Sequence, residues 1–150
     1  MKKLFIFLLC LFFLFSSCNR YSFSYKYEEI SSNVKSIKIV EITRDGYYGE
    51  MSVIIKREIP EEEKDEVLKE ICKLNYEWSI TLEPENITGL AIMLSYDDNN
   101  NRYDLVGLQG VEFYENGEQT YYDNSRCDHN AFNLILENYY NNVWEIDRKN

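Results

Sequence analysis

The residues with chemistry to offer are few. Cys72 and Cys127 are two of four cysteines, the others being Cys10 and Cys18 near the start of the chain. Such a pair can be joined as a disulfide, or both thiols can stay reduced and behave as small apolar side chains. Cys127 adjoins Asp128 and His129, the single histidine. Thiol catalysis needs a base within hydrogen-bond reach and a third group that orients it. Consecutive residues at the start of a helix point in different directions, so Cys127-Asp128-His129 does not read as a triad. One histidine also leaves no paired Cys/His spacing of the kind zinc sites use, and no metal or other cofactor is expected.

Asp97-Asp98-Asn99-Asn100-Asn101-Arg102 resembles the oxygen-rich start of a calcium loop. An EF-hand needs glycine at position six and glutamate at position twelve, where this chain has Arg102 and Leu108. A solvated hairpin turn is the expectation. The thirteen tyrosines are the remaining candidates. Tyrosine gives rigid contact area with a hydrogen-bonding tip, so Tyr103, Tyr121 and Tyr122 are taken as a candidate binding face for a basic protein or a glycan. Tyrosine also suits strands and half-buried faces for structural reasons alone. The glycine-rich phosphate and dinucleotide loops are missing, as is the Gly-x-Ser-x-Gly elbow of serine hydrolases. Among 26 acidic residues a glycosidase-like carboxylate pair could be hidden, and nothing in the sequence singles one out.

The N-terminal stretch carries a different message. Lys2 and Lys3 precede an apolar run, Leu4 to Phe15, of 12 residues. That is short of the roughly 20 needed to cross the hydrocarbon core. A positive start, a short apolar run and small residues before a cut are the marks of a secretory signal. The end of the run, Phe15-Ser16-Ser17-Cys18, resembles the lipobox of bacterial lipoproteins. That resemblance covers residues 1–18 only. It implies cleavage before Cys18, a lipid on the Cys18 thiol, and an exported protein tethered to a membrane of the cell envelope, on its periplasmic or extracellular side. In such a compartment disulfides persist, so Cys72 and Cys127 are expected to pair. An uncleaved N-terminal helix, or plain secretion with Cys18 incidental, are the alternatives.

Without residues 1–17 the composition shifts. Five of the eight phenylalanines leave with the leader, and the loss of Lys2 and Lys3 takes the basic residues from 16 to 14 against 26 acidic, a formal charge of −12. A charge of that sign argues against binding nucleic acid or anionic lipid through the protein surface.

The elements follow from periodicity. Residues 19–33 alternate Tyr21, Phe23, Tyr25 and Tyr27 with polar residues and are expected to be a tether or an edge strand. Val34 to Thr43 and Tyr48 to Ile59 should pair as a hairpin about Asp45-Gly46. Pro60 with Glu61, Glu62 and Glu63 suits a helix start, and Val67, Ile71 and Leu74 give that helix one buried face. Strands are then expected at Tyr76 to Leu82, Leu90 to Tyr96, Tyr103 to Leu108, Val111 to Tyr114 and Thr120 to Tyr122, with a type I′ turn at Asn116-Gly117. Phe132, Ile135, Leu136 and Tyr139 mark a last helix, capped by Asp128 or Asn130.

The expected organisation is a lipoprotein signal peptide at 1–17, a tether at 18–33 and a single α+β domain at 34–150. That domain is an antiparallel sheet of about five to seven strands with two helices packed on one face. The expected role is a non-enzymatic, membrane-anchored binding module for a basic or envelope partner. An envelope-polymer hydrolase using a carboxylate pair and a passive structural lipoprotein are the other two readings.

Overall fold

The computed structural model describes residues 22–45, 50–78, 86–123 and 125–140, without the side chains of residues 78 and 121–123. In chain order the elements are β1 (Ser22–Phe23), α1 (Tyr27–Ile30), β2 (Ser36–Arg44), β3 (Met51–Glu58), α2 (Glu61–Ile71), β4 (Tyr76–Trp78), β5 (Gly89–Ser95), β6 (Arg102–Gly107), β7 (Gly110–Glu115), β8 (Glu118–Asp123), β9 (Ser125–Arg126) and α3 (His129–Tyr139). The fold is α+β. Six strands form one antiparallel sheet in the order β3-β2-β5-β6-β7-β8, and three short ones form a second, β1-β4-β9. Among the described residues no helix is long and apolar enough to cross a membrane.

Local chemistry explains the boundaries. Pro60 stands just before α2 in an extended conformation, and Glu61, Glu62 and Glu63 occupy the first turn, where the helix dipole favours negative charge. Asp128 caps α3, its Oδ1 accepting from the Ala131 amide at 2.9 Å. At the β7–β8 turn Asn116 and Gly117 have φ of 53° and 81°. Both are positive, as a type I′ turn demands.

One face of the large sheet carries both long helices. Val67, Leu68 and Ile71 of α2 and Phe132, Ile135, Leu136 and Tyr139 of α3 pack with Ile37, Ile39, Ile92, Leu94, Val106 and Val111. The pairing Ile92↔Val106↔Val111 puts the sheet residues of this core in one row across three strands. The opposite face is not the wet face that strand alternation alone would give. Val40, Ile42, Ala91, Met93, Tyr103, Leu105 and Tyr114 are buried there with Ile87, and Met51 and Val53 pack against them. Ile87 presses onto the backbone of Gly107, where an added Cβ would lie 2.8 Å from the Ile87 Cγ2. Strands β5, β6 and β7 are thus buried on both sides.

The N-terminal tether expected over 18–33 is corrected by the fold from Ser22 onward. β1 pairs with β4, Phe23 meets the rings of Tyr25 and Phe113 edge-on at 5.1 and 6.1 Å, and Tyr25 and Ile30 belong to the helix-side core. Of the alternating aromatics described there, Tyr25 is buried and Phe23 is packed against the same core.

Candidate functional site

Among the described residues, those singled out in the sequence do not converge. Cys72 and Cys127 are both free, so the expected disulfide is not formed. The two thiols have separate surroundings. The Cys127 thiol turns toward the Leu108 carbonyl at 3.8 Å, beneath the β6–β7 turn. Cys72, at the end of α2, lies in the field of Glu28 on α1. Burial pushes both thiols above their ordinary pKa, which keeps them protonated and poor nucleophiles.

The Cys127-Asp128-His129 run separates as its spacing suggested. Asp128 caps its helix, and the His129 Nε2 lies 2.8 Å from the Asn133 Nδ2 on the exposed side of α3. In the Asp97–Arg102 turn the Asp97 carboxylate accepts from the amides of Asn101 and Arg102 at 2.8 and 3.2 Å, while the Asn100 Oδ1 takes hydrogen bonds from Ser95 and Lys38. Those oxygens build the turn itself. Among the described residues no group of three or more His, Cys, Asp or Glu is placed to hold a metal ion.

The proposed tyrosine face is also revised. Tyr103 is buried and stacked on Tyr114, ring centroids 4.8 Å apart and 8° from parallel, so it presents no surface to a partner. Tyr121 and Tyr122 hold register positions opposite Phe113 and Glu112 on β7, and their side chains lie outside the described residues, as does Cys18. Of the eight tyrosines whose side chains are described, Tyr25, Tyr76, Tyr103, Tyr114, Tyr139 and Tyr140 are buried. Their content is structural first.

What the sequence did not signal is a pair of buried carboxylates on opposite faces of one sheet. Asp104 on β6 faces the helices and accepts from Tyr25 at 2.8 Å and Tyr96 at 2.5 Å. Burial raises its pKa, against the lowering pull of the two tyrosine hydroxyls and Arg102. Glu112 on β7 faces the other way and is fully buried. Its carboxylate meets the Arg44 guanidinium at 2.5 Å, the Tyr114 hydroxyl at 2.6 Å and the Ile87 amide at 2.7 Å. Arg44 also donates to the Ile87 carbonyl at 3.2 Å. In sequence both acids sit inside alternating strands, Arg-Tyr-Asp-Leu-Val and Val-Glu-Phe-Tyr, where an acid reads as the solvent face. The clue lay in the apolar residues of both parities flanking them.

Among the described residues a groove of about 390 Å³ opens beside the small sheet. Lys73, Asn75, Glu77, Arg126, Cys127 and Asp128 are among its lining residues. Glu77 stands opposite both Ser22 and Arg126 in the strand register. Of its two carboxylates, Asp128 is engaged in capping α3, so the groove is a mixed-charge surface and not a matched acid–base pair.

No family model, curated protein or solved structure matches the chain.

Two stability predictions follow from the buried acids. Arg44→Met strips Glu112 of its cation and should cost about 3–5 kcal/mol, with Arg44→Met/Glu112→Gln recovering part of the loss, because the neutral amide still accepts from Ile87 and Tyr114. Urea unfolding measures both, and an Arg44→Met chain as stable as wild type refutes the assignment. For Asp104 the folded pKa lies above the unfolded one, so the folded state holds the extra proton. Its contribution is complete below the ordinary carboxyl range and is lost as pH rises through the raised folded value. Asp104→Asn should flatten that part of the stability-versus-pH curve, and an unchanged slope between wild type and variant contradicts the reading.

Proposed function

We propose that this chain is an exported lipoprotein, anchored through a lipid on Cys18, whose folded domain is a non-enzymatic interaction module for a basic or envelope partner. The anchor rests on the Lys2-Lys3 start, the 12-residue apolar run and the Ser-Ser-Cys end.

The observation that carries the interaction role is the edge strand β3. Among the described residues β2 lies on one side of it and no strand on the other. Ile54 and Ile55 are 48% and 57% exposed there. Such an edge offers backbone donors and acceptors to an added strand, with side-chain contacts setting specificity. Its far end is guarded. A register shift opposite Ile39/Val40 makes a bulge, and Lys56 pairs with Glu41 at 2.7 Å, both of which discourage indiscriminate pairing. The usable length is therefore Met51 to Ile55. A basic partner suits the acidic domain and the exposed Glu61, Glu62 and Glu66 of α2, the helix that follows β3.

Labelled palmitate should be incorporated by the wild type and lost in Cys18→Ser, and label retained by the variant defeats the anchor assignment. For the interaction role, a partner captured from the envelope by the wild-type chain should be lost with Ile54→Glu. Equal recovery by the two chains counts against β3 as the docking edge.

A further inference from the structure

The free edge of β3 has a phase, and the hydrogen bonds at either end of the hairpin fix it. In an antiparallel pair, opposed residues alternate between those that bond to one another and those whose amide and carbonyl point away from the partner strand. The Asp45 amide donates to the Glu50 carbonyl at 3.4 Å, which makes that opposed pair a bonded one. Counting along the register from there, Ser52 and Ile54 bond to Thr43 and Glu41, while Met51, Val53 and Ile55 turn their amides and carbonyls outward. The other end gives the same phase. The Ile59 amide donates to the Ile37 carbonyl at 2.9 Å, so Ile39 and Arg57 are a bonded pair and Val40 and Ile55, one step further along β2, are not. Among the described residues no strand takes up these outward donors and acceptors.

Side chains lie on both faces of that edge. Met51 and Val53 pack on the second-face cluster, and Ile55 shares their face through its pairing with Val40. Ile54, opposite Glu41, is on the helix side. A strand added here meets one exposed isoleucine on each face, and its ends meet acid. Glu50 precedes β3 and Glu58 closes it, both exposed. The cations of β3 and of the start of α2 are matched within the domain, Lys56 with Glu41, Arg57 with Glu63 and Lys64 with Glu61. Lys38, opposite Glu58, donates to the Asn100 Oδ1 at 3.1 Å. A second copy of the chain is a poor occupant. Paired antiparallel about Ile54, two β3 strands would set Glu50 against Glu58 at both ends, and like charges placed opposite one another destabilise a pair.

We infer that β3 receives an extended segment of a basic protein, an apolar and β-branched run as long as Met51 to Ile55 with lysine or arginine on either side. The segment adds to the large sheet through the backbones of Met51, Val53 and Ile55 and sets its flanking cations at Glu50 and Glu58. This rests on β3 as the docking edge. Main-chain bonds supply affinity to any extended chain, so the acids at the two ends are what select the partner and fix its position along the strand.

The test uses the full chain in dodecyl maltoside micelles and fluorescent peptides read by anisotropy. Lys-Lys-Val-Val-Thr-Val-Val-Lys-Lys should bind the wild type about tenfold more tightly than Glu-Glu-Val-Val-Thr-Val-Val-Glu-Glu. The preference should reverse in Glu50→Lys/Glu58→Lys, a change confined to exposed positions. The basic peptide N-methylated throughout Val-Val-Thr-Val-Val keeps its charge and side chains, loses its donors, and should not bind. Equal binding of the two peptides by the wild type, or a preference unchanged in the double variant, overturns the inference. Binding undiminished by methylation overturns it by removing strand addition. A wild-type dimer that Ile54→Glu dissolves gives the edge to a second copy and overturns it likewise. Failure of every peptide also overturns it, while β3 as a docking edge is judged separately by the loss of envelope capture with Ile54→Glu.

Discussion

A carboxylate removed from water must be met by charge and hydrogen bonds where it lies, and around Glu112 that requirement organises half of the molecule. Its three partners come from places far apart in sequence: Arg44 at the end of β2, Tyr114 on its own strand, and the backbone of Ile87 ahead of β5. Desolvating an ion pair costs several kcal/mol per charge, so such a pair contributes specificity more than stability. Here the specificity is positional. The segment carrying Ile87 is drawn onto the second face of the sheet, where its side chain joins the cluster of Val40, Ala91 and Leu105 and fills the space above Gly107.

Asp104 does the corresponding work on the helix side. Through Tyr25 it fastens the N-terminal segment to the centre of the sheet, and through Tyr96 it fixes the turn that follows β5. The two acids sit on neighbouring strands one register step apart, Asp104 paired with Phe113 and Glu112 with Leu105, and so point to opposite faces. A sheet buried on both sides has nowhere else to put polar groups, and each face has acquired one satisfied carboxylate. Ser125 is the exception among the described residues, with a buried hydroxyl that lacks a partner.

Much of the architecture was legible beforehand because it rests on local rules. Asp128 as a helix cap, Pro60 and the three glutamates as a helix start, and Asn116-Gly117 as a turn needing two positive φ angles are all properties of a few consecutive residues. The hydrophobic spacing of Val67, Ile71 and Leu74 and of Phe132, Ile135 and Tyr139 fixed the buried side of each helix for the same reason. What failed depended on contacts between distant segments. Whether Cys72 and Cys127 face one another is decided by the docking of α1 and the β6–β7 turn, neither of which leaves a mark near either cysteine. Whether Tyr103 points to solvent depends on Ile87 and Arg44 closing the second face. Period-two alternation shows that a strand has two sides and cannot show that both are covered. The stretch from Ser22 to Ile30 was misjudged in the same way, since its burial is provided by β4, Phe113 and Asp104.

The small sheet joins residues 22, 77 and 126, and Tyr25 reaches across 79 positions to Asp104. Loops of that length close slowly compared with hairpins, because chain entropy is lost before any contact repays it. A ribosome delivers the chain from its N-terminus, so β1 emerges first and finds its neighbours last. The hairpin of β2 and β3 can form as it appears, and so can the meander from β5 to β8. The first described strand must therefore wait until β4 and β6 exist, so the earliest segment of the domain to be made is among the last to dock.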